Sequence, residues 1–243
     1  MLSSTRPLRK AAAVWRHPGR LKSVPGDIMG RRPLSPQTLP SRRGALALVC
    51  IVVGTVVSGV PSIVHAADDA AEAAYRKGLA VLQGDNGAAP DEAQARRHFG
   101  AAASWHHPGA ELELGFLEED PARATVWFRE AASHGNPEGQ YNLGVAHAMG
   151  HGVKHDAGKA VELFEQAALQ SFPDAVDNLA IMHMNGDGIP RDRILGCGLL
   201  AAAETLGVEP DLGAKEDCDT LSAQERQEAE RITRDPRLWS RRR

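Results

Sequence analysis

From Asn136 to Ala168 the chain reads NPEGQYNLGVAHAMGHGVKHDAGKAVELFEQAA. This stretch is two helices written end to end, with punctuation at each boundary. Asn136, Pro137 and Glu138 give a cap, a first-turn proline and an acid, the order in which a helix starts. Leu143-Gly144 sets a small residue in that helix, where another backbone can approach closely. Gly150-His151-Gly152 ends it, because glycine takes the left-handed conformation that closes a helix without Cβ strain. Asp156 then caps a second helix, its carboxylate accepting the free amide protons of the first turn. Phe164-Glu165-Gln166-Ala167-Ala168 falls in the third turn of that second helix.

The same punctuation recurs in phase. Phe99-Gly100-Ala101-Ala102-Ala103, Phe128-Arg129-Glu130-Ala131-Ala132 and Leu200-Ala201-Ala202-Ala203 superpose on Phe164 to Ala168, with steps of 29, 36 and 36 residues between leaders. Eight residues before each leader stands an aspartate: Asp91, Asp120, Asp156 and Asp192. Pro108, Pro137 and Pro173 open the preceding helices, and Leu114-Gly115, Leu143-Gly144 and Leu179-Ala180 sit in register within them. The second unit lacks seven residues of the loop, so its first helix runs almost straight into Asp120. A single helix pair cannot bury its apolar face, and stacked pairs can, with about three as the practical minimum. The pattern therefore predicts an all-α solenoid of about four helical hairpins. Ser222, with Glu225 three residues later, predicts a capped terminal helix over Leu221 to Ile232, whose thin apolar stripe suits the polar outer face of a terminal unit.

Gln140-Tyr141-Asn142-Leu143-Gly144, Gly150-His151-Gly152-Val153, Asp156, Lys159-Ala160 and Phe164-Glu165-Gln166-Ala167-Ala168 resemble a Sel1-like repeat, of the tetratricopeptide-related superfamily, in its exported bacterial type. The resemblance runs from about Ala70 to Val208 and implies antiparallel helix pairs in a right-handed superhelix. The sequence departs from the family in carrying His147 and His183 where tyrosine is usual. The expected organisation is a disordered basic extension over 1–43, an apolar signal segment over 44–66, repeats over 67–208 (70–107, 108–136, 137–172 and 173–208), a loop and cap helix over 209–233, and a basic tail over 234–243.

Arg42-Arg43, the uncharged run Gly44 to Val64 and the small residues before Ala67 follow the order of an export signal, with cleavage expected after Ala66. An uncleaved anchor is the alternative, and Met29 is a more economical start than Met1. Either way the repeats lie outside the cytoplasm, in the periplasm or secreted; membrane contact is expected only if segment 44–64 is retained. Cys50 follows Leu48-Val49, where a lipid-attachment site would need a small residue.

The net charge of −3 hides a split. Residues 1–66 carry ten Lys/Arg against one acid, leaving 18 basic against 30 acidic residues beyond them. An acidic body repels nucleic-acid phosphates, which argues against a general nucleic-acid role. Past the signal only Cys197 and Cys218 remain, an even number in an oxidising compartment. A bridge between them would staple the cap to the last repeat; two free thiols are the other reading.

Chemistry is sparse. His147, His151 and His155 lie at spacings that would share a helix face, but Gly150 and Gly152 interrupt the helix. His147 and His183 are one repeat apart, too far to share zinc, whose His ligands sit about 2 Å away. His106-His107 aligns with Gly135-Asn136 and reads as a helix end and cap. No metal, cofactor or catalytic residue is therefore assigned. The exported part has no Ser-x-x-Lys, Gly-x-Ser-x-Gly or His-Glu-x-x-His. What is left is a surface. The resemblance implies an inner face formed by the first helix of each unit, with Glu113, Tyr141, Asn142, Val145, Asp177, Asn178 and Ile181 as candidate contacts to a protein or peptide, and the acid balance favours a basic or apolar partner. Asn142 and Asn178, one repeat apart, could pair with both donor and acceptor of an extended backbone, or only brace a neighbouring helix. A cell-wall enzyme or binding factor, by family analogy alone, and a membrane-tied structural brace are the alternatives.

Overall fold

The computed structural model describes residues 60–84, 89–209 and 212–239, and among these there are helices and turns but no strand. Four hairpins follow in order. The first helices, here the A row, are α1 (Val60–Gln83), α3 (Pro108–Leu117), α5 (Pro137–Met149) and α7 (Pro173–Asn185). Their partners, the B row, are α2 (Glu92–Ala103), α4 (Pro121–Ser133), α6 (Ala157–Ala168) and α8 (Arg193–Thr205). Two more helices close the chain, α9 (Leu212–Asp219) and α10 (Ala223–Arg234), followed by a 3-10 turn at Pro236–Leu238.

Local chemistry sets the boundaries. Asp91, Asp120, Asp156 and Asp192 each cap a B helix by accepting from the amides of Gln94, Ala122, Lys159 and Leu195. Proline opens α3, α5 and α7. Gly150 (φ 69°) and Gly186 (φ 82°) end α5 and α7 in the left-handed conformation. The shortened second unit keeps its B helix but trims its A helix to ten residues, and Arg96 donates to the Leu117 carbonyl at the point where α3 stops.

Packing follows from phase. Each of α3, α5 and α7 lies between the B helix of its own unit and that of the unit before. Within a unit the leading phenylalanine presses on the small residue of the A helix. A Cβ built on Gly78, Gly115 or Gly144 would fall 2.5, 2.5 or 2.7 Å from Phe99, Phe128 or Phe164, so only glycine admits those rings. All three phenylalanines are fully buried. Between units, the loops after α5 and α7 rest on the first turn of the preceding B helix. A Cβ on Gly152 would lie 2.3 Å from the Pro121 carbonyl oxygen, and one on Gly188 2.5 Å from the Ala157 backbone. The Thr125 hydroxyl adds a hydrogen bond to the His151 carbonyl at that junction, at 3.2 Å.

At the C-terminus Cys197 and Cys218 are joined by a disulfide. The capping box is present: Ser222 Oγ accepts from the Glu225 amide and the Glu225 carboxylate accepts from the Ser222 amide. One expectation changes here. Cys218 lies in α9, where a loop was expected; a glycine and two aspartates hide that helix from propensity, and the disulfide and buried Ala214 hold it. In the basic tail Trp239 is buried, and its indole N–H donates to the Ile232 carbonyl at 2.9 Å.

The extension 1–43 and the apolar run up to Gly59 lie outside the described residues. The helix α1 continues unbroken through Ala66 and Ala67, the expected cleavage point. Among the described residues no helix is long and apolar enough to cross a membrane.

Candidate functional site

One register of the A row stays polar from end to end. Two residues before Gly78, Gly115, Gly144 and Ala180 stand Arg76, Glu113, Asn142 and Asn178. Arg76 is exposed; Glu113, Asn142 and Asn178 are buried. Burying such groups is costly unless they are hydrogen-bonded, so a polar side chain kept at one position in successive units needs a reason. Asn142 is turned back on its own helix, its amide donating to the Glu138 carbonyl at 2.9 Å. Asn178 is 1% exposed, and its side-chain oxygen has no hydrogen-bond partner among the described residues.

Six of the seven expected contact residues are buried, namely Glu113, Asn142, Val145, Asp177, Asn178 and Ile181, and Tyr141 is half-buried. Val145 belongs to the hydrophobic core, in one cluster with Val161 and Phe164. Packing against B helices on both sides accounts for it: a position beside the small residue does not face open solvent. Tyr141 packs between the B helix of its own unit and the N-cap residue of α7, its ring 5.7 Å from Phe164 and 5.2 Å from Phe172.

Carboxylates gather around Tyr75 near the N-terminal end of the row. Burial raises the Tyr75 phenol to about 12, and the carboxylates of Glu113, Glu72 and Glu138 push it the same way. Three acids from α1, α3 and α5 thus act on one point of the A row. His107 ties two of these helices together. Its Nδ1 accepts from the Ala110 amide and caps α3, at 3.2 Å. That leaves Nε2 to carry the proton and donate to Glu72, at 3.0 Å, and this bond holds the Glu72 carboxyl below its ordinary range.

The histidines in the family's tyrosine slot pack inside. His183 is buried with both ring nitrogens lacking a hydrogen-bond partner, and burial lowers its pKa against a smaller opposing effect of Asp192. His147 is half-buried, with Nδ1 likewise unpartnered. The backbone at each closes the loop, the Asp156 and Asp192 amides donating to the His147 and His183 carbonyls at 2.9 Å. A different histidine set converges. Donor atoms of His106, Glu111 and His134 all lie within 4.8 Å of one another. Sequence spacing alone did not show it, because the three come from a turn, an A helix and the end of a B helix. Superposing the repeats gives the signal: Glu111–His134 occupies the place of the hydrogen-bonded pair Gln140–Gln170 in the next unit.

The family model for the Sel1 repeat matches residues 71–104, 105–136, 137–172 and 173–208, which is more than half of the chain. The chain is a Sel1 repeat protein. Such proteins generally mediate protein–protein interaction and are typically non-catalytic. A search of curated protein sequences gave no significant match. Among solved structures this Sel1 repeat protein is similar to c5321, a protective antigen of uropathogenic Escherichia coli strains with an SLR fold. The two share 26% identity and a TM-score of 0.63 over 70% of this chain and 40% of that one. A Sel1 repeat protein from Oxalobacter formigenes shares the fold, with 23% identity and a TM-score of 0.52 over 61% and 71% of the two chains. This chain spans about 40% of the length of the E. coli antigen.

Proposed function

We propose that this Sel1 repeat protein is a non-catalytic scaffold of the periplasm or cell envelope that holds a basic protein segment along its A-helix row. The observation that carries this reading is the polar register: Glu113, Asn142 and Asn178 are buried in three successive units although aliphatic side chains would be cheaper to bury, and Arg76 holds the same position, exposed, in the first. Glu72, Glu113 and Glu138 supply the charge preference, converging where Tyr75 lies. Opposite charge steers encounter and selects partners more than it adds affinity. Arg76, exposed, and Tyr141, half-buried, are among the members of the row that solvent reaches, where docking would begin.

Export follows from the charged, apolar and small-residue order of segment 42–66. The mass of the mature chain tests it, with an N-terminus at Ala67 expected and an intact segment 44–64 contradicting it. Affinity capture from an envelope extract tests the partner. The wild-type chain should retain a basic protein in a salt-sensitive manner, and the double variants Glu113→Gln/Glu138→Gln and Asn142→Ala/Asn178→Ala should lose it. Retention on purified cell wall alone, or turnover of a wall fragment, would contradict the scaffold reading.

A further inference from the structure

We propose that His106, Glu111 and His134 form a binding site for a divalent transition-metal ion of the zinc type, open to water at its fourth position. Glu111 Oε2 lies 2.8 Å from His134 Nδ1. The His106 and His134 rings are 4.9 Å apart, tilted by 46°. Bonds of about 2.0–2.1 Å in a tetrahedron place ligand atoms roughly 3.4 Å from one another. Donor atoms already within 4.8 Å reach that spacing by small side-chain rotations. His106 and His134 are exposed, so an ion can enter, while the Glu111 side chain is only 3% exposed and held in place. Imidazole and carboxylate are the donors that borderline metals such as zinc accept.

The surroundings favour a cation. His134 is the C-cap of α4, and His106 lies two residues past the C-cap of α2. Two helix C-termini, each carrying partial negative charge, therefore end beside the three donors. The turn that carries His106 is rigid, since the His106 and His107 amides donate to the Ala103 and Ala102 carbonyls.

Comparison along the solenoid separates this donor set from what the fold needs. The position of His106 is left-handed in every unit, at φ 57°, and is filled by Gly135, Ser171 and Gly207 elsewhere. Histidine is an expensive choice there, because a side chain with Cβ strains that conformation. The Glu111–His134 bond is replaced one unit on by Gln140–Gln170, at 2.8 Å, and two units on by Val176 and Leu206. A neutral amide pair thus fills the same place one unit on, and apolar residues stand at these positions two units on. Among the described residues, only the junction of the first and second units brings two imidazoles and a carboxylate together in this way.

Those neighbours also supply variants that should fold. His106→Gly installs the residue of two other units and relieves the strain. Glu111→Gln/His134→Gln reproduces the pair of the third unit. Zinc(II) titration of the full mature chain by calorimetry, with cobalt(II) absorption reporting the coordination, should show one saturable site in the wild type. Each variant should bind roughly 100-fold more weakly or worse, since even outer-shell partners of a metal cost 10–100-fold. Zinc should raise the thermal midpoint of the wild type and leave both variants unmoved. Absence of saturable binding to the wild type would overturn the proposal, and so would undiminished binding to folded Glu111→Gln/His134→Gln.

Discussion

The fit of Phe128 onto Gly115 can be tested as a coupled pair. A Cβ on Gly115 would stand 2.5 Å from Cε1, 2.8 Å from Cδ1 and 3.0 Å from Cζ of Phe128. Carbon atoms in contact prefer about 3.5–4.0 Å, so the ring must retreat by roughly 1 Å. It has nowhere to go, because Phe128 is 0% exposed. Overpacking with no room to relax falls in the upper part of the usual range, about 2–3 kcal/mol, and the gain in helix propensity from Gly to Ala returns about 1 kcal/mol. Gly115→Ala should therefore destabilise by roughly 1–2 kcal/mol. Phe128→Leu alone leaves a partial cavity worth about 1–2 kcal/mol. Together the two changes give the residues that the fourth unit carries at these positions, Ala180 and Leu200. The double variant should lose no more than the worse single one, a favourable coupling of about 1–2 kcal/mol. Urea unfolding at constant slope measures all three. Additivity within about 0.5 kcal/mol would refute the claim that ring and glycine are one interlocking element.

Three further outcomes follow from named contacts. Cys197→Ala/Cys218→Ala, or reduction of the wild type, should cost about 3 kcal/mol on the chain-entropy model, read as a drop in urea midpoint; an unchanged midpoint would mean that α9 and α10 hold the last repeat unaided. Asp156→Ala removes the carboxylate that accepts from the Lys159 amide at 2.9 Å and should cost about 1 kcal/mol, with Asp156→Asn restoring most of it. His183 is held below its ordinary pKa by burial, so in the acid range the unfolded chain binds more protons than the folded one, and stability falls as pH drops below the ordinary histidine value and on through the folded one. Thermal midpoints from pH 7 to pH 5 should decline, and His183→Phe should flatten that decline; an equal decline in the variant would place the acid sensitivity elsewhere.

The parts of the fold legible in the sequence are those fixed by local hydrogen bonding. Asp91, Asp120, Asp156 and Asp192 announce the B helices because a cap reaches only two or three residues ahead. Gly150 and Gly186 announce the ends of α5 and α7 because only one backbone conformation closes them. The helix α9 was not legible, since its formation depends on contacts across the chain, the disulfide among them. For the candidate site the sequence supplied the register and not the exposure. Asn142 and Asn178 do share a position in successive units, yet helices packed on two faces bury it. His106 and His134 could be paired only through the superposed repeats, because a left-handed turn and a helix end bring them together.

The most direct test of the central claim, that a partner lies along the A row, is site-specific photocrosslinking in the envelope. A photoreactive side chain at Tyr141, half-buried on α5, should yield one discrete adduct with a basic protein. The same group at Val126, 48% exposed on α4, should yield none. Adducts from Val126 in place of Tyr141, or none from either in a correctly exported chain, would contradict the account.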